Sequence, residues 1–478
     1  MNEHALNLLE FPRIRENVAG YALSDEGAVA IREALPASDP DAVRELKARS
    51  EAVRRLFRDQ KAPPQASFAP IHTAIRPISK EGSCLDIEEL WALGMWADAY
   101  GALRRWLLDG EHAGLRAELA EAPDLAPAAA VAFRIVGKDG QIKDLPELAE
   151  IRGRIARINL DIERTTASFF QDEGMRGALQ NDLPTQRDGR TVLAVRAGSK
   201  GKVRGIVHEV SSTGQTVFIE PEALVQKNNE LVEEEARYQR ELTRILREAT
   251  AKLHNHYEAF VEARLACAGF DAVYARARYS HMNDGVFAEE RPAGVDIVKA
   301  RHPVLGSKAV PIDLRMPEDA RVLIVTGPNT GGKTVSLKTA GLFALMNQFG
   351  LALPAGYGTA LQVFDGVWAD IGDEQSMDQS LSTFSGHMRS VAAIVSGATE
   401  RSLVLLDELG SGTDPEEGCA IAMALLDHFI ARGALTLVTT HHGILKNFGY
   451  TKESVLNASV DFDKDTLSPT YRDRKSVV

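Results

Sequence analysis

Two long stretches of this chain carry apolar residues at helical spacing on a charged background. Leu148, Ile151, Ile155, Ile158 and Ile162 are separated by steps of three and four. Leu231, Tyr238, Leu242, Ile245, Ala249 and Leu253 form a second seam on a segment dense in Arg and Glu. Stripes this narrow and regular predict two helices that lie against each other as a coiled coil. Between them the pattern turns strand-like over Thr191–Arg196, Val203–His208 and Thr216–Glu220, with turns at Asp188-Gly189, Lys200-Gly201 and Thr213-Gly214. A small β-rich tip on two helical arms follows.

Further on, the apolar runs become continuous and short: Val322–Val325, Leu403–Leu406 and Ala434–Val438. Runs of this kind suit strands covered by helices on both faces, as in a parallel α/β sheet. Residues 1–145 read as helices joined by short loops, with breaks at Pro36–Pro40, Pro63-Pro64 and Ala122-Pro123; His72, Trp91 and Trp106 fall in apolar patterns and read as packing residues. The expectation is an α+β multidomain chain. It would have a helical body (1–145), arms and tip (146–258, tip at about 183–222), a helical return (259–294) and an α/β domain (295–478).

The α/β segment carries the chemistry. Gly327, Pro328, Asn329, Thr330, Gly331, Gly332, Lys333 and Thr334 fit G-x-x-x-x-G-K-[ST], between an apolar run and a helix start. Loop N–H groups and the helix dipole make an anion site, Lys333 adds a charge for the β- and γ-phosphates, and Thr334 is a Mg²⁺ ligand. ATP and Mg²⁺ are the cofactors this implies. The Leu403–Leu406 run ends in Asp407, a candidate Mg²⁺ holder directly or through water, and Glu408, placed to orient or deprotonate the attacking water. Adjacent acids also close strands without any chemistry; the phosphate loop upstream favours the catalytic reading. His441, after the Ala434–Val438 run and Thr439-Thr440, is a third polar group at a strand end, where open parallel sheets bind ligands.

Small polar residues in Leu381–Gly386 precede a helix expected over Met388–Val395, 25 residues ahead of Asp407 for Ser382. This order resembles ATP-binding-cassette ATPases, in which a signature serine completes the partner subunit's nucleotide site. Ser382 and Thr383 would then act in trans and the chain would pair as a homodimer; the bland alternative is a helix-capping serine. The wording of the phosphate loop, Ser382-Thr383-Phe384, Asp407–Thr413 and Thr440-His441 resembles the MutS ATPase family. Asp370–Ser376 is similar to the segment before that family's signature loop, with Gln375 a candidate water or Mg²⁺ contact. Leu9-Glu10-Phe11 and the stretch from Gly205-Ile206-Val207-His208 to Thr216–Pro221 resemble the second bacterial paralogue, the MutS-two family, and the resemblance covers nearly the whole chain.

That resemblance implies a helical lever and clamp on an ABC-like ATPase domain, closing around nucleic acid. It implies either suppression of homologous recombination through branched DNA or, as the alternative, rescue of stalled ribosomes through ribosomal RNA. Mismatch recognition is not expected. The Phe-x-Glu triplets at Phe218–Glu220 and Phe287–Glu289 lie outside any domain ahead of the lever. The family continues past Arg472 into a helical region and an Smr nuclease domain, so this length of chain is expected to lack nuclease activity, with its dimerisation left open.

Composition changes the picture in two places. Net charge is −12, so any nucleic-acid surface must be local; residues 186–208 supply it, with Arg187, Arg190, Arg196, Lys200, Lys202 and Arg204 against one acid, Asp188. Such a tip suits phosphate contacts, or merely protects a sheet edge from aggregation. The other features are ordinary: 44% apolar, 26% charged, no membrane-length apolar run, no signal-like N-terminus. Three scattered cysteines (Cys84, Cys267, Cys419) suggest reduced thiols in the cytoplasm.

Overall fold

The computed structural model describes residues 2–61, 63–64, 68–109, 115, 117–327, 332–372, 380–463 and 468–475. The chain forms two compact units, each built from separated stretches. One comprises residues 1–68, 102–122 and 262–478, the other 69–101 and 123–261. The four consecutive segments expected from the periodicity do not share these boundaries. The first residues belong with the last, because helices Glu3–Leu8 and Phe11–Ala19 and the turn between them carry Leu6, Leu9, Phe11 and Ile14 into the same core as Leu323, Leu337, Phe349 and Leu405.

The first unit is organised by a six-stranded sheet in the order Val367–Asp370, Leu403–Leu406, Leu435–Thr440, Val322–Thr326, Val455–Asp463, Ser468–Lys475. Its first five strands run parallel and only the last pair is antiparallel. The continuous apolar runs have a simple cause: successive side chains alternate between two cores. Leu323, Val325, Leu403, Leu405, Leu435 and Leu437 enter one, with helix Lys333–Gln348; Val322, Ile324, Val404, Leu406 and Val438 enter the other, with helices Ser380–Gly397, Pro415–Arg432 and Gly443–Thr451. Helices on both faces leave the strand ends as the open edge. Asp414 starts one covering helix by accepting from the N–H of Glu416 (2.9 Å) and Glu417 (3.3 Å), and Gly433 (φ 82°) stops it. A smaller sheet, in the order Glu289–Glu290, Ala360–Leu361, Val295–Ala300, Ile312–Met316, belongs to the same unit.

In the second unit the two seams form helices Pro146–Gln171 and Glu222–His254, which pack along each other as the heptads require. At 33 residues the longer arm spans about 50 Å. Ile162, Leu224 and Leu231 are buried between them, with Ile155 and Ile158 half-covered. The tip is an antiparallel sheet in the order Thr185–Arg187, Arg190–Arg196, Thr216–Pro221, Gly205–Val210. Asp188 (φ 49°) and Gly189 (φ 74°) make its first hairpin turn. Lys200-Gly201 is part of a short 3-10 helix, Ala197–Lys202, and Val203, expected to open a strand, packs instead into the tip's core with Leu193, Val195, Val217 and Ile219.

A buried charge ties this tip together. Glu220 is fully buried; its carboxylate accepts from Arg190 (2.9 Å), His208 (2.6 Å) and Asn228 (2.8 Å), joining three strands to the long arm. Burial pushes the carboxyl up, but the hydrogen bonds from Asn228, His208 and Arg190 outweigh it and hold it below the ordinary value. Glu220→Ala should destabilise the tip by about 3 kcal/mol, since it strands the buried partners of a lost charge. Hydrogen exchange in residues 185–221 should report this loss. In the unaltered protein the same stabilisation should be complete above the ordinary carboxylate range and fall away as pH drops through the lowered Glu220 value.

Candidate nucleotide site and nucleic-acid interface

Four strand ends meet at the open edge of the large sheet. Registers pair Asp370 with Leu406, Leu406 with Val438, and Thr440 with Thr326, so the residues that follow each strand are neighbours in space. The phosphate loop leaves from Thr326. Pro328, Asn329, Thr330 and Gly331 lie outside the described residues; Gly332 (φ 90°) precedes helix Lys333–Gln348 in a conformation that a side chain would strain. Lys333 is 1% exposed, and its Nζ donates to the Gly327 carbonyl at 2.7 Å. A helix N-terminus favours negative charge through its dipole, and a buried ammonium there suits the same kind of ligand.

Asp407 is the hub of this edge. It is buried, and both carboxylate oxygens accept from hydroxyls: Oδ2 from Thr334 at 2.7 Å, Oδ1 from Thr439. Its N–H donates to the Asp370 carbonyl at 2.9 Å. Thr439 Oγ1 in turn accepts the Glu408 N–H at 2.8 Å, and Glu408 adopts φ 49°, a left-handed turn that bulky residues adopt only when held there. That turn takes Glu408 off the line of the strand and out to the edge. His441 is exposed; its ring lies 4.1 Å from that of His442, whose Nε2 is 3.2 Å from the Gly410 carbonyl. The loop after Glu408 is further fixed by Gly418, where an added Cβ would fall 2.1 Å from the Gly410 oxygen.

The structure thus brings Gly327, Lys333, Thr334, Asp407, Glu408 and His441 to one sheet edge. Ser382 and Thr383 lie in the first turn of helix Ser380–Gly397, which begins earlier than the sequence pattern indicated; their side chains, and Gln375, lie outside the described residues. Thr439, Asp370 and His387 were missed. His387 Nδ1 is 2.9 Å from Asp370 Oδ2. The bond to Asp370 raises the His387 value above the usual 6.5 against the opposing effect of burial, with further help from the charges of Asp370, Glu408 and Asp407. Among the described residues no group of three or more His, Cys, Asp or Glu could hold a metal. The Thr334 and Asp407 oxygens are instead a hard-donor pair of the kind that shares Mg²⁺ with substrate phosphates.

At the tip, the six basic residues divide. Arg196, Lys200, Lys202 and Arg204 are exposed. Arg187 donates to Glu209 at 2.6 Å and stacks 4.0 Å from the Phe218 ring centre, while Arg190 is held by Glu220 and Asn229. Phe218 and Glu220 of the Phe218–Glu220 triplet are therefore both used inside the tip. Among the described residues no helix is long and apolar enough to cross a membrane. All three cysteines are free thiols, with Cys267 and Cys419 buried.

Comparison with known proteins agrees with this architecture. Residues 323–474 match the family model for MutS domain V. Over 477 residues the chain is 40% identical to the Endonuclease MutS2 of Pelotomaculum thermopropionicum, covering 99% of this chain and 61% of that protein. It is 39% identical to the namesake of Gemmatimonas aurantiaca (100% and 60%) and 38% identical to that of Thermotoga maritima (98% and 61%). The chain spans about three fifths of the length of these relatives. Domain V lies on the nucleotide edge and the similarity runs through the arms and tip, so the chain is similar to MutS2 proteins over nearly its whole length.

Proposed function

We propose that this chain hydrolyses ATP to drive a clamp that holds branched or structured DNA and so suppresses homologous recombination. The observation that carries the reading is the Thr334–Asp407 hydrogen bond, which sets a phosphate-loop hydroxyl against a strand-end carboxylate beside a buried lysine. Thr334 and Asp407 would hold Mg²⁺, with Gln375 as a further contact, and the bound ion offsets charge on the phosphate oxygens. Lys333 and the loop amides grip the β- and γ-phosphates. Glu408 takes a proton from water as the water oxygen bonds to the γ-phosphorus; the bond to the bridging oxygen breaks, and ADP leaves with that electron pair. His441, from the neighbouring strand, steadies the γ-phosphate or the attacking water.

Two copies would pair through their ATPase domains, Ser382 and Thr383 of each completing the other's site. Residues 1–145 and 259–294 would act as lever, and 146–258 as clamp arms. DNA is favoured because the relatives are named endonucleases and because the tip exposes Arg196, Lys200, Lys202 and Arg204 on an otherwise acidic chain. Arg187 and Arg190 would support that surface from within.

Lys333→Ala should weaken ATP binding by about tenfold or more, the scale of a lost hydrogen bond to a charged group. Glu408→Gln should keep binding and slow turnover by about a hundredfold. Equilibrium nucleotide binding and phosphate release on the same preparations test both; wild-type turnover in Glu408→Gln would remove Glu408 as the base.

For the trans role, a Ser382→Arg chain mixed with a Lys333→Ala chain should recover activity that neither has alone, since one composite site then has two intact halves. Heterodimers verified by mass that remain inactive would refute it.

For the tip, the affinity for a four-way DNA junction should fall with salt. Lys200→Glu with Lys202→Glu should lower the log–log slope by about 2, at roughly 0.9 per phosphate contact. An unchanged slope and affinity would place the DNA surface elsewhere.

A further inference from the structure

We propose that His387 is a positioning residue for hydrolysis, locking the helix that carries Ser382 and Thr383 onto the strand end beside Asp407 and Glu408. This rests on the ATPase reading above.

The basis is a shared support. Asp370 closes the Val367–Asp370 strand and is buried; its side-chain oxygen holds His387 Nδ1 at 2.9 Å, while its backbone oxygen accepts the Asp407 N–H at 2.9 Å. One residue therefore fixes the helix from one side and the hub carboxylate from the other. The imidazole also lies flush against the chain leaving that strand, since a Cβ added at Gly372 would fall 3.1 Å from His387 Cε1 and 3.3 Å from Nε2. A helix joined to the sheet edge at this point cannot tilt without pulling on Asp370, and Asp370 cannot move without moving Asp407.

Charge strengthens the same contact. Asp370, Asp407 and Glu408 all face this region, and together they favour imidazolium over neutral imidazole. Below its raised value His387 pairs with Asp370 as an ion pair; as pH rises through that value the pair becomes a neutral hydrogen bond and holds the helix less firmly. ATP binding, carried by Lys333 and the loop, should persist through this change while turnover declines.

The test is the pH profile of kcat with ATP affinity measured alongside. In the wild type, kcat should fall along an alkaline limb centred above pH 6.5. His387→Gln, which keeps a donor but not the charge, should lower kcat by about tenfold, leave ATP affinity within about threefold, and lose that limb. Asp370→Asn should move the limb to lower pH, and the imidazole resonance of His387 should show the same shift by NMR without any turnover. The double variant should be no worse than the poorer single one, as expected of two groups acting as a unit. Wild-type kcat in His387→Gln, or a lowered kcat that keeps the limb, would overturn the role of His387 and leave the ATPase reading standing. Absence of turnover in the wild type at every pH would overturn the ATPase reading first, and the role of His387 with it.

Discussion

The edge of the large sheet depends on how the carboxylate of Asp407 is held. It is buried at the end of a strand, where an unsatisfied charge would cost several kcal/mol. Thr334 reaches it from the phosphate-loop helix and Thr439 from the neighbouring strand, so one anion pins a helix and two strands together. The same Thr439 hydroxyl accepts the N–H of Glu408 and thereby holds a glutamate in a left-handed turn. Such a conformation stores on the order of 1–3 kcal/mol and persists only where the surroundings fix it. Hydroxyl, carboxylate and strained backbone are a single arrangement.

How much of this could be read from the chain depended on the range of the interaction. The phosphate-loop pattern, its strand and its helix are local and contiguous, and the residue types there admit few other uses. The arms were legible because burial along a pair of helices repeats every three or four residues. Thr439 was visible as a residue but not as a participant, because threonine is common in strands and its partner lies 32 residues away. His387 and Asp370 are 17 residues apart on a helix and a strand, with no spacing rule to join them. The His387 helix starts earlier than expected because Ser and Thr favour caps over helix interiors, so a run of them reads as the approach to a helix rather than its first turn.

The tip illustrates a different limit. Counting charges over residues 186–208 gives a strongly basic segment, and a count cannot tell an arginine on the surface from one inside a network. Arg190 spends its charge on Glu220, and Arg187 is divided between Glu209 and the face of Phe218. Both acids lie beyond the counted window or on its far strand. The exposed cations are those on Arg196, the 3-10 turn and Arg204, where no side chain of the tip's core draws them inward.

The discontinuous make-up of the first unit bears on how the chain is made. Leu9, Phe11 and Ile14 are each almost wholly buried among residues of the sheet and its helices, and a buried Leu or Phe contributes about 1.5–3 kcal/mol. These residues leave the ribosome more than 300 residues ahead of Leu337 and Leu405. At roughly 5–20 residues per second, that gap is on the order of 15–60 s. For that time these two short helices carry an apolar face without its sheet partners, while the 69–101 and 123–261 stretches finish their own unit. Residues 3–19 are thus a stretch for a chaperone to guard, and a piece of chain cut at the start of the phosphate-loop strand would keep helix Lys333–Gln348 on that face of its sheet but lose the cover of Leu9, Phe11 and Ile14.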